Sequence, residues 1–367
     1  MVNKWLRTAI PSHSIADQFA FRRTGSTTAA LVYLMHHVTR MLETDSYVRC
    51  LMIDFSKAFD IVDHAIISEK ICKLPLPWFI SNWLISFLCH RKIIVKFNHL
   101  MSQPRSINRS IVQGSGVGPT LYIIHESDLQ ICSIINILLK YADDTNLLVP
   151  EHTDISLVDE FENVKKWASE NKMVINYSKT KEIVFRRPNP RHSIYPDPLA
   201  CIEQVCEAKL LGVVFNYKLA FETHVQYVLR QCNQRLYLIK LLRNQGLSRK
   251  QLNIVFQAII VARVQYALPA WGGFISCDMK NKIDALFSRA NHSGFCNTFS
   301  FDSLLFSADR TLYKVMCNSQ HCLSLILPPV KVVQHDLRLR GHGHVLPDHH
   351  TALYRKSFIL RHLFATI

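Results

Sequence analysis

Leu51-Met52-Ile53-Asp54-Phe55-Ser56-Lys57-Ala58-Phe59-Asp60 and, further along, Tyr141-Ala142-Asp143-Asp144 decide how this chain is read. The first stretch closes the apolar run Cys50 to Ile53 with a carboxylate, and a short run of that kind suits a buried strand. The second lies between the apolar runs Ile134 to Leu139 and Leu147 to Val149, which predicts a β-hairpin with polar residues at its tip. A core argument puts no aspartate at any of these places. Burying an unpaired carboxylate is costly, and clustering several raises their pKa values unless cations neutralise them. Hard divalent cations such as Mg²⁺ take carboxylate oxygens and leave room for substrate phosphates. Two such ions can stabilise the attacking and leaving oxygens of a phosphoryl transfer. A hairpin tip beside a strand end brings Asp54 and Asp143 to the same metals. Taken alone, Asp-Asp in a turn is ordinary turn chemistry.

Composition sets the bounds. The chain has 367 residues, 49% hydrophobic and 19% charged, which excludes general disorder and a fibrous repeat. Lys and Arg exceed Asp and Glu by 43 to 28, a net charge of +15 that favours polyanionic partners bound in a salt-sensitive way. The longest apolar candidate, Phe256 to Trp271, is interrupted by Arg263, Gln265 and Pro269, so no membrane partner is expected, and no signal-peptide core follows Met1. The 11 cysteines are odd in number and scattered, which reads as reduced thiols of an intracellular, non-secreted protein. Cys317-x4-Cys322, with His321 and the downstream His342, His344, His349 and His350, is too loosely spaced for a zinc knuckle.

Working outward, Ser26-Thr27-Thr28 predicts the cap of a helix through Leu42, and Asp63 the cap of another carrying Ile67, Ile71 and Leu74. Residues 111–129 read as a strand end, a glycine-rich turn and a helix with Pro119 in its first turn. Leu157, Phe161, Val164 and Ala168 mark a further helix, and strands are expected near 173–176, 182–186 and 209–215, with a proline-rich loop over 188–198. After about residue 220 the texture turns helical. Val225 to Ile239 keep helical register, Gly246 stops that helix, and Ser248 with Gln251 forms a capping box for the next. Beyond about 295 the pattern weakens.

Asp54-Phe-Ser-Lys-Ala-Phe-Asp60, Gln113-Gly-Ser-Gly-Val-Gly-Pro119 and Tyr141-Ala-Asp-Asp144 occur in that order, followed by Asn176-x-x-Lys179-Thr180 and Leu211-Gly212-Val213, and preceded by Gln18-Phe-Ala-Phe-Arg22. This series resembles the reverse transcriptase of non-LTR, LINE-type retrotransposons over roughly residues 10–290, and the end, His349 to Arg361, is similar to endings seen in such elements. The resemblance implies an α+β fold. A right-hand polymerase palm, an antiparallel sheet backed by helices, is followed by a helical thumb, with the fingers largely missing. It divides the chain into 1–45 as a remnant of fingers and palm entry, 46–220 as palm, 221–295 as thumb, and 296–367 as a C-terminal region of unassigned fold.

The resemblance also implies roles. Asp54, Asp143, Asp144 and the backbone carbonyl of Phe55 hold two Mg²⁺ ions, with Mn²⁺ as substitute. Phe59 excludes a ribose 2′-hydroxyl, Gln113 and Gly114 meet the incoming nucleotide and template, and Tyr141 and Ala142 lie against the primer terminus. Lys179 protonates or neutralises the leaving pyrophosphate, and Leu211 with Gly212 forms the primer grip. The partners implied are an RNA template, a DNA primer and a deoxynucleoside triphosphate; oligomeric state is not implied. The sequence departs from the family pattern with Ala20 for the usual Gly, Arg23 for Pro, and Glu126-Ser127-Asp128-Leu129 for the commoner ending with Asn before Asp-Leu. With almost no upstream fingers, a truncated, catalytically inactive remnant that retains nucleic-acid binding is the alternative. An RNA polymerase would carry Asp where Phe59 stands, and a purely structural protein would have its carboxylates by accident.

Overall fold

A computed structural model describes residues 2–187, 195–331 and 342–366; the expected proline-rich loop lies largely outside these. In chain order the elements are α1 (Val2–Ala9), α2 (Thr27–Met41), β1 (Tyr47–Ile53), α3 (Ala58–Ile61), α4 (His64–Cys72) and α5 (Trp78–Leu88). Four two-residue strands follow, β2 (Lys92–Ile93), β3 (Lys96–Phe97), β4 (Leu100–Met101) and β5 (Arg105–Ser106). Then come α6 (Gly118–Glu126), β6 (Ile137–Tyr141), β7 (Asp144–Pro150), α7 (Leu157–Glu170), β8 (Lys181–Arg186), β9 (Glu203–Val205), β10 (Glu207–Leu210) and β11 (Val213–Asn216). The rest is helical: α8 (Glu222–Asn244), α9 (Arg249–Phe256), α10 (Ala262–Gln265), α11 (Leu268–Trp271), α12 (Cys277–His292), α13 (Phe301–Met316), α14 (Ala352–Arg355) and α15 (Phe358–Ala365). The chain is thus α+β, with a five-stranded sheet in the order β6-β7-β1-β8-β9.

The chain divides into two compact units, Met1–Gly25 with Arg49–Glu182 and Asp197–Gln204, and Ser26–Val48 with Ile183–Pro196 and Val205–Ile367. In the first unit, Leu51, Ile53 and Phe55 run into a core shared with Leu121 and Tyr122 of α6, Leu138 and Leu147 of the β6–β7 hairpin, and Phe161, Val164 and Trp167 of α7. Leu51 and Ile53 of β1 and the stripe Leu157, Phe161, Val164 and Ala168 of α7 point into this core, while Val48 and Cys50 on the other face of β1 are buried as well. Local chemistry fixes the boundaries. The Asp63 carboxylate accepts from the backbone N–H of Ala65 at 3.0 Å and starts α4. Ser115 Oγ accepts from Gly118 N–H at 3.0 Å and starts α6.

In the second unit, Ser26 Oγ accepts from Ala29 N–H at 3.0 Å, and Ser248 and Gln251 make the expected reciprocal capping box. A π-turn at Gln257–Val261 joins α9 to α10, so Arg249–Trp271 becomes one helical run of 23 residues. By length and hydropathy that run suffices to cross a membrane, whereas the interruptions at Arg263, Gln265 and Pro269 predict no such segment; half of it is buried within the protein.

Three local expectations are corrected. Residues 173–176 do not form a strand: Ile175 makes a single bridge to Phe55, and Val174 accepts from Ser56 N–H at 2.8 Å. Ile111 ends no strand either, and its N–H is tied to Phe59 O at 2.8 Å. The single strand expected over 209–215 is a hairpin, because Leu211 (φ 45°) and Gly212 (φ 84°) turn the chain between β10 and β11.

Candidate active site

Asp54 follows the last residue of β1. Its backbone N–H donates to Thr180 Oγ1 at 3.2 Å, and its carbonyl accepts from Asn176 N–H at 2.8 Å. These bonds pin the segment carrying Lys179 beside it, and the Lys179 ammonium lies 4.0 Å from the Asp54 carboxylate. The β6–β7 hairpin closes on the pair Tyr141–Asp144, leaving Ala142 and Asp143 as a two-residue turn. Ala142 takes the left-handed conformation, φ 56°, that such a tight hairpin requires.

The charge of Asp54 reaches both carboxylates of the turn. Burial, and then the charge of Asp54, raise Asp143, while Lys179 opposes the rise. Desolvation and the charges of Asp143 and Asp54 push Asp144 up to about 6. The side-chain donors are carboxylate oxygens, the ligands hard cations prefer, and the repulsion that raises the turn carboxylates is the condition a divalent cation relieves. Carboxylate oxygens of this kind are the ligand type that Mg²⁺ takes.

Other expected site residues gather in the same unit. Phe59 stacks on Tyr122 with ring centroids 4.2 Å apart, and Phe21 meets it edge-on at 6.5 Å. Gln113 Nε2 donates to Asp60 Oδ1 at 3.2 Å, and the exposed Gly114 has φ 78°, a conformation that suits glycine. Leu211 and Gly212 belong to the second unit, where Tyr266 Oη donates to Leu211 O at 2.8 Å.

Two residues escaped the sequence reading as site components. Gln18 and Glu126 are fully buried behind the carboxylate turn and hydrogen-bonded to each other at 3.0 Å. The available signal was an acidic residue ending the otherwise apolar run Leu121-Tyr-Ile-Ile-His-Glu126.

The profile of the family described as Reverse transcriptase (RNA-dependent DNA polymerase) matches residues 1–215. The probable RNA-directed DNA polymerase from transposon BS of Drosophila melanogaster is 26% identical over 300 residues, covering 77% of this chain and 32% of that protein. The corresponding protein of the X-element in the same organism is 26% identical over 277 residues, covering 71% and 30%. The RNA-directed DNA polymerase from mobile element jockey of Drosophila funebris is 26% identical over 273 residues, covering 70% and 29%. The chain spans about a third of the length of these relatives. Among solved structures, telomerase from Candida tropicalis in complex with a fragment of telomeric RNA aligns at TM-score 0.45 and 12% identity, covering 89% of this chain and 55% of that one.

Proposed function

The chain belongs to the reverse transcriptase (RNA-dependent DNA polymerase) family, of the kind carried by LINE-type mobile elements, and from that premise we propose that its carboxylate cluster joins deoxynucleotides to a primer on an RNA template. The observation that carries the proposal is electrostatic. Asp54, far away in sequence, lies near enough to the turn for its charge to help raise both Asp143 and Asp144, and a cation, Lys179, stands 4.0 Å from Asp54.

The reaction is an in-line displacement: the primer 3′-hydroxyl gives up its proton to solvent, its oxygen bonds to the α-phosphorus, the bond to the bridging oxygen breaks, and pyrophosphate leaves. Asp54, Asp143, Asp144 and the Phe55 carbonyl would hold Mg²⁺, which when bound neutralises phosphate charge and makes the 3′-hydroxyl more acidic. Lys179 presents its ammonium where it can neutralise or protonate the departing pyrophosphate. Phe59 is braced between Tyr122 and Phe21, so its ring resists displacement by a ribose 2′-hydroxyl. Gln113, oriented by Asp60, and Gly114 offer polar and backbone groups to the incoming nucleotide and template. Tyr141 and Ala142 lie against the primer terminus, and Leu211 with Gly212 serves as primer grip. In this reading residues 46–220 are the palm and 221–295 the thumb, and the net charge of +15 draws in the RNA–DNA hybrid.

The test is extension of a DNA primer on an RNA template by the wild-type chain, Asp54→Asn and Phe59→Val. The expected result is deoxynucleotide incorporation that Asp54→Asn abolishes and that Phe59→Val extends to ribonucleotides. Incorporation unchanged in Asp54→Asn would overturn the assignment.

A further inference from the structure

The turn that carries Asp143 has no glycine, yet Ala142 is left-handed at φ 56°, a conformation disfavoured for an L-residue. It is also loaded with like charge from both aspartates. Something outside the hairpin holds it, and the hydrogen bonds identify what. Gln18 is 2% exposed. Its Oε1 accepts from Ala142 N–H at 3.0 Å and from Ala20 N–H at 2.9 Å. Its Nε2 approaches Ala142 O at 3.4 Å and donates to Glu126 Oε2 at 3.0 Å. One side chain thus engages both the N–H and the carbonyl of the strained residue, which takes a group with a donor and an acceptor side by side; a carboxamide has both.

Glu126 completes the frame. Its Oε1 accepts from Thr145 Oγ1 at 3.2 Å, on the strand leaving the turn. On the strand entering it, the buried Lys140 donates to the carbonyls of Glu126 at 3.1 Å and Leu129 at 3.0 Å, and lies 3.0 Å from the Asp17 carboxylate. The segment before Gln18 is itself stitched to β6, with Lys140 N–H donating to Asp17 O at 2.8 Å and Phe19 N–H to Lys140 O at 2.8 Å. Burial pushes the Glu126 carboxyl up to about 8. An ionisable network so expensive to bury is poor value as a source of stability and well suited to fixing geometry.

We propose that Gln18, backed by Glu126, is a positioning residue for nucleotidyl transfer: it locks the Ala142 peptide and thereby fixes where the Asp143 and Asp144 carboxylates point. The proposal rests on the polymerase reading of those carboxylates, so the test carries one readout that needs no activity. Amide hydrogen exchange is followed in the metal-free full-length chain for wild type, Gln18→Met, Glu126→Gln and Glu126→Ala. In Gln18→Met, exchange at the 141–144 turn should quicken by about tenfold or more while β1 keeps its protection. Primer extension then separates kcat from KM. Gln18→Met and Glu126→Ala should lose about tenfold or more in kcat, with the KM for deoxynucleotide and the affinity for template–primer within about twofold. Glu126→Gln, which keeps acceptor and size, should retain at least about a third of kcat.

Unchanged exchange at the turn in Gln18→Met overturns the proposal, as does a loss of protection in β1 equal to that at the turn, the mark of a merely structural role. If wild type and Asp54→Asn extend primers equally, the polymerase reading falls instead, and the exchange result still decides whether Gln18 holds the turn. Should Gln18→Met not fold, Gln18→Asn, whose carboxamide is one methylene too short to hold both groups of the Ala142 peptide, answers through the same readouts: faster exchange at the turn supports the proposal and wild-type exchange overturns it.

Discussion

Two tight hairpins in this molecule face the same backbone problem and solve it differently. Between β6 and β7 the turn is Ala142-Asp143; between β10 and β11 it is Leu211-Gly212. Both need left-handed backbone, at φ 56° for Ala142 and at 45° and 84° for Leu211 and Gly212. The second turn uses a glycine and one hydroxyl, Tyr266 Oη, on the Leu211 carbonyl. The first has no glycine, carries two carboxylates, and is held by a buried frame of Gln18, Glu126, Thr145 and Lys140. A turn can be stabilised from within by its own residue types, or from outside by partners distant in sequence. The outside solution leaves the turn residues free to be chosen for chemistry.

The comparison can be broken at several points. The largest effect should come from the frame itself. Glu126 rises from its ordinary 4.5 to about 8 because burial dominates, and Asp17 and Asp143 add to the rise while Lys140 opposes it. The folded chain binds this proton more tightly than the unfolded chain does. The contribution is therefore whole below about pH 4.5 and is lost as pH climbs toward 8. The unfolding free energy of wild type minus that of Glu126→Gln should fall by on the order of a few kcal/mol across that window, as read by urea unfolding of the metal-free proteins at each end. A difference between the two proteins that stays constant with pH would show that the frame is not titrating. Next, Ala142→Val adds β-branching at a left-handed position and should reduce kcat by about a hundredfold through misplacement of Asp143, measured as single-turnover nucleotide addition.

The second hairpin should respond only modestly. Gly212→Ala places a Cβ in left-handed backbone, 3.1 Å from Tyr266 Cε1, and should cost about 1–2 kcal/mol in unfolding free energy. The smallest change is Tyr266→Phe, which removes one hydrogen bond for about 1 kcal/mol. If Gly212→Ala instead destabilised the chain more than Gln18→Met, the contrast between a glycine turn with one outside bond and a framed turn would be lost.

Legibility in the sequence follows the range of the interactions. Caps at Ser26, Asp63 and Ser248 are local, and each stands where its sequence signal put it. The hairpin at 141–144 was readable because two apolar runs flank a polar pair. The break at Leu211-Gly212 was hidden inside an otherwise strand-like run, and the apparent strand at 173–176 reduced to one bridge because its backbone serves to pin Asp54 and Phe55. Helix α13 (Phe301–Met316) lay where periodicity had faded. Of the candidate site, the carboxylates and Lys179 were named through the motif series, and the structure sets the Lys179 ammonium 4.0 Å from Asp54. The Gln18–Glu126 frame was not, because its members are 108 residues apart and no local pattern encodes the bond between them.

Addition of a single dTTP to oligo(dT) on poly(rA) in Mg²⁺, by wild type and Asp143→Asn side by side, tests the central claim most directly. Wild type should extend the primer, and Asp143→Asn should lose the addition while unfolding no more readily, since removing a carboxylate from the cluster relieves its repulsion. Addition by Asp143→Asn at the wild-type rate would contradict the account.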